Sequence, residues 1–136
     1  MKPLKNWDNK TWLSSKKYIN SFNQFVLNQI KLNKDSKILD IGCGRGKILA
    51  NLSNKLRLSN KPIGIDIENH KDKSTKMIFK KIDAFSFISK TKLSFDLILI
   101  KQTIHLMEKR QAIKLLSICK NKLKINGKII ILSLDP

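Results

Sequence analysis

Acidic residues are scarce in this chain of 136: ten Asp and Glu stand against 28 Lys and Arg, a formal net charge of +18. Cysteine is scarcer still. Cys43 and Cys119 are the whole complement, with neither CxxC nor metal-ligand spacing, which argues against a disulfide framework and against a zinc site. Neither has a paired base in sequence reach, so neither reads as a nucleophile, and no metal is expected. The opening residues, MKPLKNWDNK, have no apolar core of the kind a secretory signal needs. No uninterrupted apolar run approaches the ~20 residues that span a bilayer. A cytoplasmic protein is the expectation.

Arginine is also rare, and that bears on the charge. A basic domain has the electrostatic footprint of a nucleic-acid binder. Yet Arg45, Arg57 and Arg110 are the only arginines among the 28 basic residues. Nucleic-acid readers draw on the planar guanidinium fork, which matches phosphates and guanine edges. Here lysines are scattered through a chain also rich in Asn and Ile, a bias of composition rather than a site. A nucleic-acid partner is therefore not the favoured expectation.

What the chain does have is an alternation of periods. Tyr18, Phe22, Phe25, Val26 and Ile30 follow helical spacing between Ser14 and Leu32. A strand-like run, Lys37 to Ile41, meets a glycine loop. Ile48, Leu49, Leu52 and Leu56 return to helical spacing, and PIGIDI follows the turn SNKP as a second strand. Residues 68–76 read as loop or short helix, Met77 to Ile82 as a third strand, and DAFSFISK as a short helical turn. Phe95 to Ile100 is a fourth strand, Glu108 to Leu123 a helix, and a turn at Asn126-Gly127 precedes a fifth strand. The strands are continuously apolar rather than alternating, as in a parallel sheet buried on both faces. The expected fold is α/β: a doubly wound, mainly parallel sheet with helices on both faces, one domain over residues 1–136 with a helical segment at about 1–33. Ligands of such sheets bind beyond the carboxyl ends of the strands.

The stretch KILDIGCGRGK, residues 37–47, sits at one of those ends. It is not a P-loop, because Ile48 follows Lys47 where a Ser or Thr is required. It is not a dinucleotide fingerprint either, because Lys47 stands at the third glycine of GxGxxG; a nicotinamide-dependent enzyme is disfavoured on that count. The pattern is GxGxG (Gly42, Gly44, Gly46), two residues after Asp40. An acid in that place suits a cationic or hydroxyl-bearing ligand better than a pyrophosphate.

LDIGCGRG at 39–46 resembles the first motif of class I methyltransferases that use S-adenosylmethionine. The resemblance runs from about residue 15 to 134 and takes in IGIDIE (63–68), KKIDAFSF (80–87), FDLILIKQTIHLM (95–107) and LKINGKIIILS (123–133), in order. It implies a Rossmann-like methyltransferase with S-adenosylmethionine as cofactor. Carried over by position, Asp40 accepts from the ammonium of the cofactor's amino acid tail, and Gly42, Cys43, Gly44 and Gly46 bring backbone close to that tail. Asp66 takes the ribose hydroxyls, Ile67 flanks the adenine, Asp83 accepts the adenine amino group beside Ala84, and Ile100 and Lys101 supply backbone to the methionine portion. Gln102 and His105 fall on the substrate side. Relatives often have two consecutive histidines where this chain has His105-Leu106, and a small polar amide where it has Lys101. The implied acceptor is a small molecule. The alternative function is a non-catalytic methyltransferase-like binding domain or an RNA-associated module.

Plainer roles exist for the same residues. Asp40 could cap a loop, Asp66 form a turn, and Asp83 cap a helix. Asp96 reads as structural, and Trp7, Trp12 and Tyr18 read as core aromatics of the N-terminal helix or as a lid. The family's fold commonly continues for two more strands, the last antiparallel beside the fifth. Since the fifth strand would otherwise be an apolar edge, the chain is expected to be a fragment, the alternative being a partner that covers that edge. No acid–base constellation is needed, because a sulfonium is already electrophilic and alignment can supply much of the acceleration.

Overall fold

The structure, a computed structural model, describes residues 16–101 and 104–132. Its elements run α1 (Lys16–Gln29), β1 (Ile38–Ile41), α2 (Lys47–Leu56), β2 (Ile63–Asp66), β3 (Ile78–Lys81), α3 (Ala84–Lys90), β4 (Phe95–Lys101), a single 3-10 turn (Ile104–Leu106), α4 (Lys109–Lys120) and β5 (Leu123–Leu132). The five strands pair in parallel in the order β3-β2-β1-β4-β5. Strand order reverses between β1 and β4, which places the crevice of a doubly wound sheet over their carboxyl ends.

The apolar runs split by alternation into two cores, one on each face. Ile38, Leu97 and Leu99 pack with Ile19, Phe22 and Val26 of α1 and with Ile48, Leu49 and Leu52 of α2. Leu39, Ile41, Ile98 and Ile100 pack on the other face with Phe87 and Ile88 of α3 and with Leu115 and Cys119 of α4. Each such side chain taken fully from water contributes ~1.5–3 kcal/mol before entropy is counted. On the first face α1 is also fixed by amides. Buried Asn23 donates to the Ile48 carbonyl at 3.0 Å and to Asn51 Oδ1 at 2.9 Å, and Asn51 donates to Asn20 Oδ1 at 3.0 Å. Tyr18 stacks on Phe22 and packs against this core, which fits the core reading of that aromatic; Trp7 and Trp12 lie outside the described residues.

Asp96 is structural, as its position at the head of β4 suggested. Its Oδ2 accepts the Lys37 backbone N–H at 2.7 Å and its own N–H donates to the Lys37 carbonyl at 2.8 Å, fixing the start of β1 to β4.

Two local readings are corrected. The helix α4 stops at Lys120, and Leu123 opens β5. Asn126-Gly127 does not precede the fifth strand but interrupts it. Register passes from Phe95↔Leu123 to Leu97↔Lys128, so extra residues bulge out around Asn126, which has φ +67. A side chain at Gly127 would lie 2.9 Å from the carbonyl oxygens of Lys124 and Phe95, so the bulge closes too tightly for one.

Candidate cofactor site

The loop after β1 is built by its glycines. Gly42, Gly44 and Gly46 have φ of +79, +56 and +79, the left-handed region that L side chains rarely adopt. Three such turns within five residues fold the chain sharply from β1 into α2, with Gly46 as the N-cap. The backbone N–H groups of Gly42 and Cys43 both donate to the Ile65 carbonyl, at 2.9 and 3.1 Å, tying the loop to the end of β2. Met77 lies over Gly46, where a Cβ would overlap its sulfur.

Asp66 completes the tie. At the last position of β2, its Oδ2 accepts the Gly44 N–H at 2.9 Å and its Oδ1 accepts the Glu68 N–H at 3.0 Å. The carboxylate stays half-buried and at the crevice edge, with lone pairs left for a ligand. Ile67, next in sequence, is 68% exposed, a large apolar side chain held in solvent beside the site.

Asp40 is wholly buried. On β1 it shares the α1/α2 side of the sheet with Ile38, and on the neighbouring strand Lys101 shares it with Leu97 and Leu99. Since Asp40 pairs in register with Leu99, Lys101 stands two residues further along and its side chain reaches back, bringing Nζ to 2.9 Å from Asp40 Oδ2. The approach is not aligned for a hydrogen bond, and among the described residues neither carboxylate oxygen has an aligned donor. Burial pushes the Asp40 carboxyl up to about 6, against the opposing pull of Lys101 and with a further push from Asp66.

Asp83 is the N-cap of α3. Its Oδ1 accepts the Ser86 N–H at 2.9 Å and its Oδ2 accepts the Ser86 hydroxyl at 2.7 Å; these bonds hold its carboxyl below the usual range. Its plain role as a cap is thus realised, and a lone pair on each oxygen remains for any further donor. Ala84 is buried beside it. Ile100 contributes its side chain to the α3/α4 core, so only its backbone faces the strand ends. Gln102 and the side chain of His105 lie outside the described residues.

Cys43 is buried beneath the loop, and burial drives its thiol far up. Burial likewise pushes the Cys119 thiol up to about 11, so both are inert as nucleophiles at neutral pH. Among the described residues no group of His, Cys, Asp and Glu could hold a metal ion.

Three features escaped sequence reasoning: the Asp66–Gly44 bond, the Lys101–Asp40 pair, and an ion pair between Arg45 and Asp72. The last, with a bond from the Ser74 N–H to the Arg45 carbonyl at 2.7 Å, folds the segment after β2 back onto the glycine loop. Spacing carries no signal for contacts made across strand ends.

The model of the family described as "Methyltransferase domain" matches residues 32–135. The chain belongs to this family, that of the class I S-adenosylmethionine-dependent methyltransferases. Among solved structures, it is 29% identical to the plantazolicin methyltransferase BpumL, crystallised with a pentazolic desmethylPZN analog and SAH; the match covers 96% of this chain and 51% of that one, with a TM-score of 0.73. A SAM dependent methyltransferase from Archaeoglobus fulgidus is 27% identical over 87% of this chain and 54% of its own, with a TM-score of 0.69. Precorrin 8W decarboxylase from Methanobacterium thermoautotrophicum, 19% identical over 82% of this chain and 61% of its own, shares the fold at a TM-score of 0.64. The chain spans about half the length of the first two. No curated protein matches it at a significant level.

Proposed function

We propose that the protein binds S-adenosylmethionine over the carboxyl ends of β1, β2 and β4 and transfers its methyl group to a small-molecule acceptor. The observation that carries this is the glycine loop: three left-handed glycines, pinned by Asp66, above a buried Asp40 that lacks an aligned donor. These residues fit the cofactor. A buried carboxylate with open lone pairs suits an ammonium, and a half-exposed one at a strand end suits a ribose diol.

In this reading Asp40 accepts the ammonium, and Gly42, Cys43, Gly44 and Gly46 offer close backbone to the amino acid tail. Asp66 accepts the ribose hydroxyls while keeping the loop in shape. Ile67 covers the adenine, and Asp83 accepts its amino group alongside the cap bond, with Ala84 below. The backbone of Ile100 and Lys101 borders the methionine portion, and Gln102 and His105 face the acceptor. When bound, the cofactor supplies an electrophilic sulfonium methyl. The protein's part is then to orient the acceptor and exclude water, for which no general base is required. A cytoplasmic setting belongs to the same proposal, in keeping with two free, buried thiols.

One observation favours a second reading, a non-catalytic methyltransferase-like binding domain: Lys101 already lies against the carboxylate that the ammonium needs. Calorimetric titration with S-adenosylhomocysteine and S-adenosylmethionine separates the two. Saturable one-to-one binding supports the cofactor site, and a folded protein that binds neither belongs to the second reading.

A further inference from the structure

Lys101 presents a problem of charge that the cofactor reading alone does not solve. Its ammonium is nearly buried, with the side chain 11% exposed, and lies 2.9 Å from a carboxylate that is not exposed at all. Asp40 is the acid that Lys101 approaches, while Asp66 accepts from the backbone of Gly44 and Glu68 and Asp83 accepts from Ser86. One buried carboxylate neutralises one cation. A second ammonium at Asp40 would have to share that carboxylate with Lys101 or displace it.

Yet the pair is incomplete in a way that invites replacement. Lys101 reaches Oδ2 without aligning, and Oδ1 has no partner among the described residues. A carboxylate can accept about four hydrogen bonds, and a tetrahedral ammonium entering from the strand ends could align with oxygens that the arching lysine meets askew. Lys101 also sits at the last position of β4, so its stem can turn outward without disturbing the core.

We propose that Lys101 is an internal competitor for Asp40: it holds the carboxylate in the free protein and yields it when a ligand bearing an α-ammonium enters the site. This rests on the cofactor reading and adds that Lys101 sets how strongly the amino group contributes to affinity. Lys101 thereby acts as a positioning residue, holding the Asp40 carboxylate in place until the ligand arrives. Without it, the amino group would meet an uncontested carboxylate and be held more tightly.

The test is a calorimetric comparison at pH 8 of the wild type, Lys101→Met and Lys101→Gln, each titrated with S-adenosylhomocysteine and with its analogue in which hydrogen replaces the α-amino group. Circular dichroism establishes that each variant is folded. Both substitutions are expected to tighten S-adenosylhomocysteine roughly tenfold and to leave the deaminated analogue unchanged. A merely structural role for Lys101 would move both ligands alike. Unchanged or weaker S-adenosylhomocysteine binding in the folded variants, or an equal gain for the deaminated analogue, overturns the competition while leaving the cofactor site standing. If folded wild type and variants all fail to bind S-adenosylhomocysteine, the cofactor reading falls and the competition with it.

Discussion

Asp66 accepts the backbone N–H of Gly44 at 2.9 Å, so the acid proposed for the ribose also holds the glycine loop in shape. Two roles on one side chain can be separated. Asp66→Asn keeps an acceptor oxygen for the Gly44 N–H and loses the charge, whereas Asp66→Ala loses both. Asp66→Ala is expected to weaken S-adenosylhomocysteine binding by ~1.5–3 kcal/mol and to lower the melting temperature. Asp66→Asn is expected to keep most of the stability and still bind more weakly. Calorimetry and thermal melts of the two variants check this.

Gly64, within β2, is a point of close packing. A Cβ there would stand 2.7 Å from the Met77 sulfur and 2.8 and 2.9 Å from Sγ and Cβ of Cys43. Met77 can swing aside, but the Cys43 Cβ is fixed to the loop backbone. Gly64→Ala is therefore expected to destabilise the fold by ~1–3 kcal/mol, measured by urea unfolding. Truncating Met77 as well should restore only part of the loss.

Asp40 is expected to make stability and binding respond oppositely to pH. Burial raises its carboxyl to about 6, so the folded chain holds this proton more tightly than the unfolded one. The associated stability is fully present below about pH 4 and is lost as pH rises through about 6, of order 3 kcal/mol. An ammonium, in contrast, needs the ionised form. Between pH 5 and 7.5, S-adenosylhomocysteine affinity should rise while the Asp40 contribution to stability falls. Asp40→Asn should flatten both trends, as read by calorimetry and melts across that range.

Asp83 tests whether a cap can also be a ligand. Losing it should cost ~0.5–2 kcal/mol of stability through α3. Ser86→Ala removes the hydroxyl donor to Asp83 Oδ2 without touching the carboxylate. If Asp83 also accepts from adenine, Asp83→Ala weakens S-adenosylhomocysteine binding and Ser86→Ala does not. Equal, small effects of the two variants would confine Asp83 to the cap.

The architecture was legible because it follows from local pattern. Continuous apolar strands such as Leu97–Ile100 announce a sheet buried on both faces, and GxGxG after Asp40 announces backbone in the left-handed region. The roles of Asp66 and Lys101 were not legible to the same degree. Asp66 finds Gly44 across the strand ends, 22 residues away, and Lys101 finds Asp40 only because β1 and β4 are neighbours in register. The bulge at Asn126 was misread for a related reason: Asn-Gly marks a reversal of the chain direction in sequence, and only pairing with β4 shows that the strand resumes.

The most direct measurement is calorimetric titration of the folded protein with S-adenosylhomocysteine at neutral pH. Saturable one-to-one binding that weakens in Asp66→Ala is the expected result. Absence of binding by a folded protein, or affinity indifferent to Asp66, would contradict it.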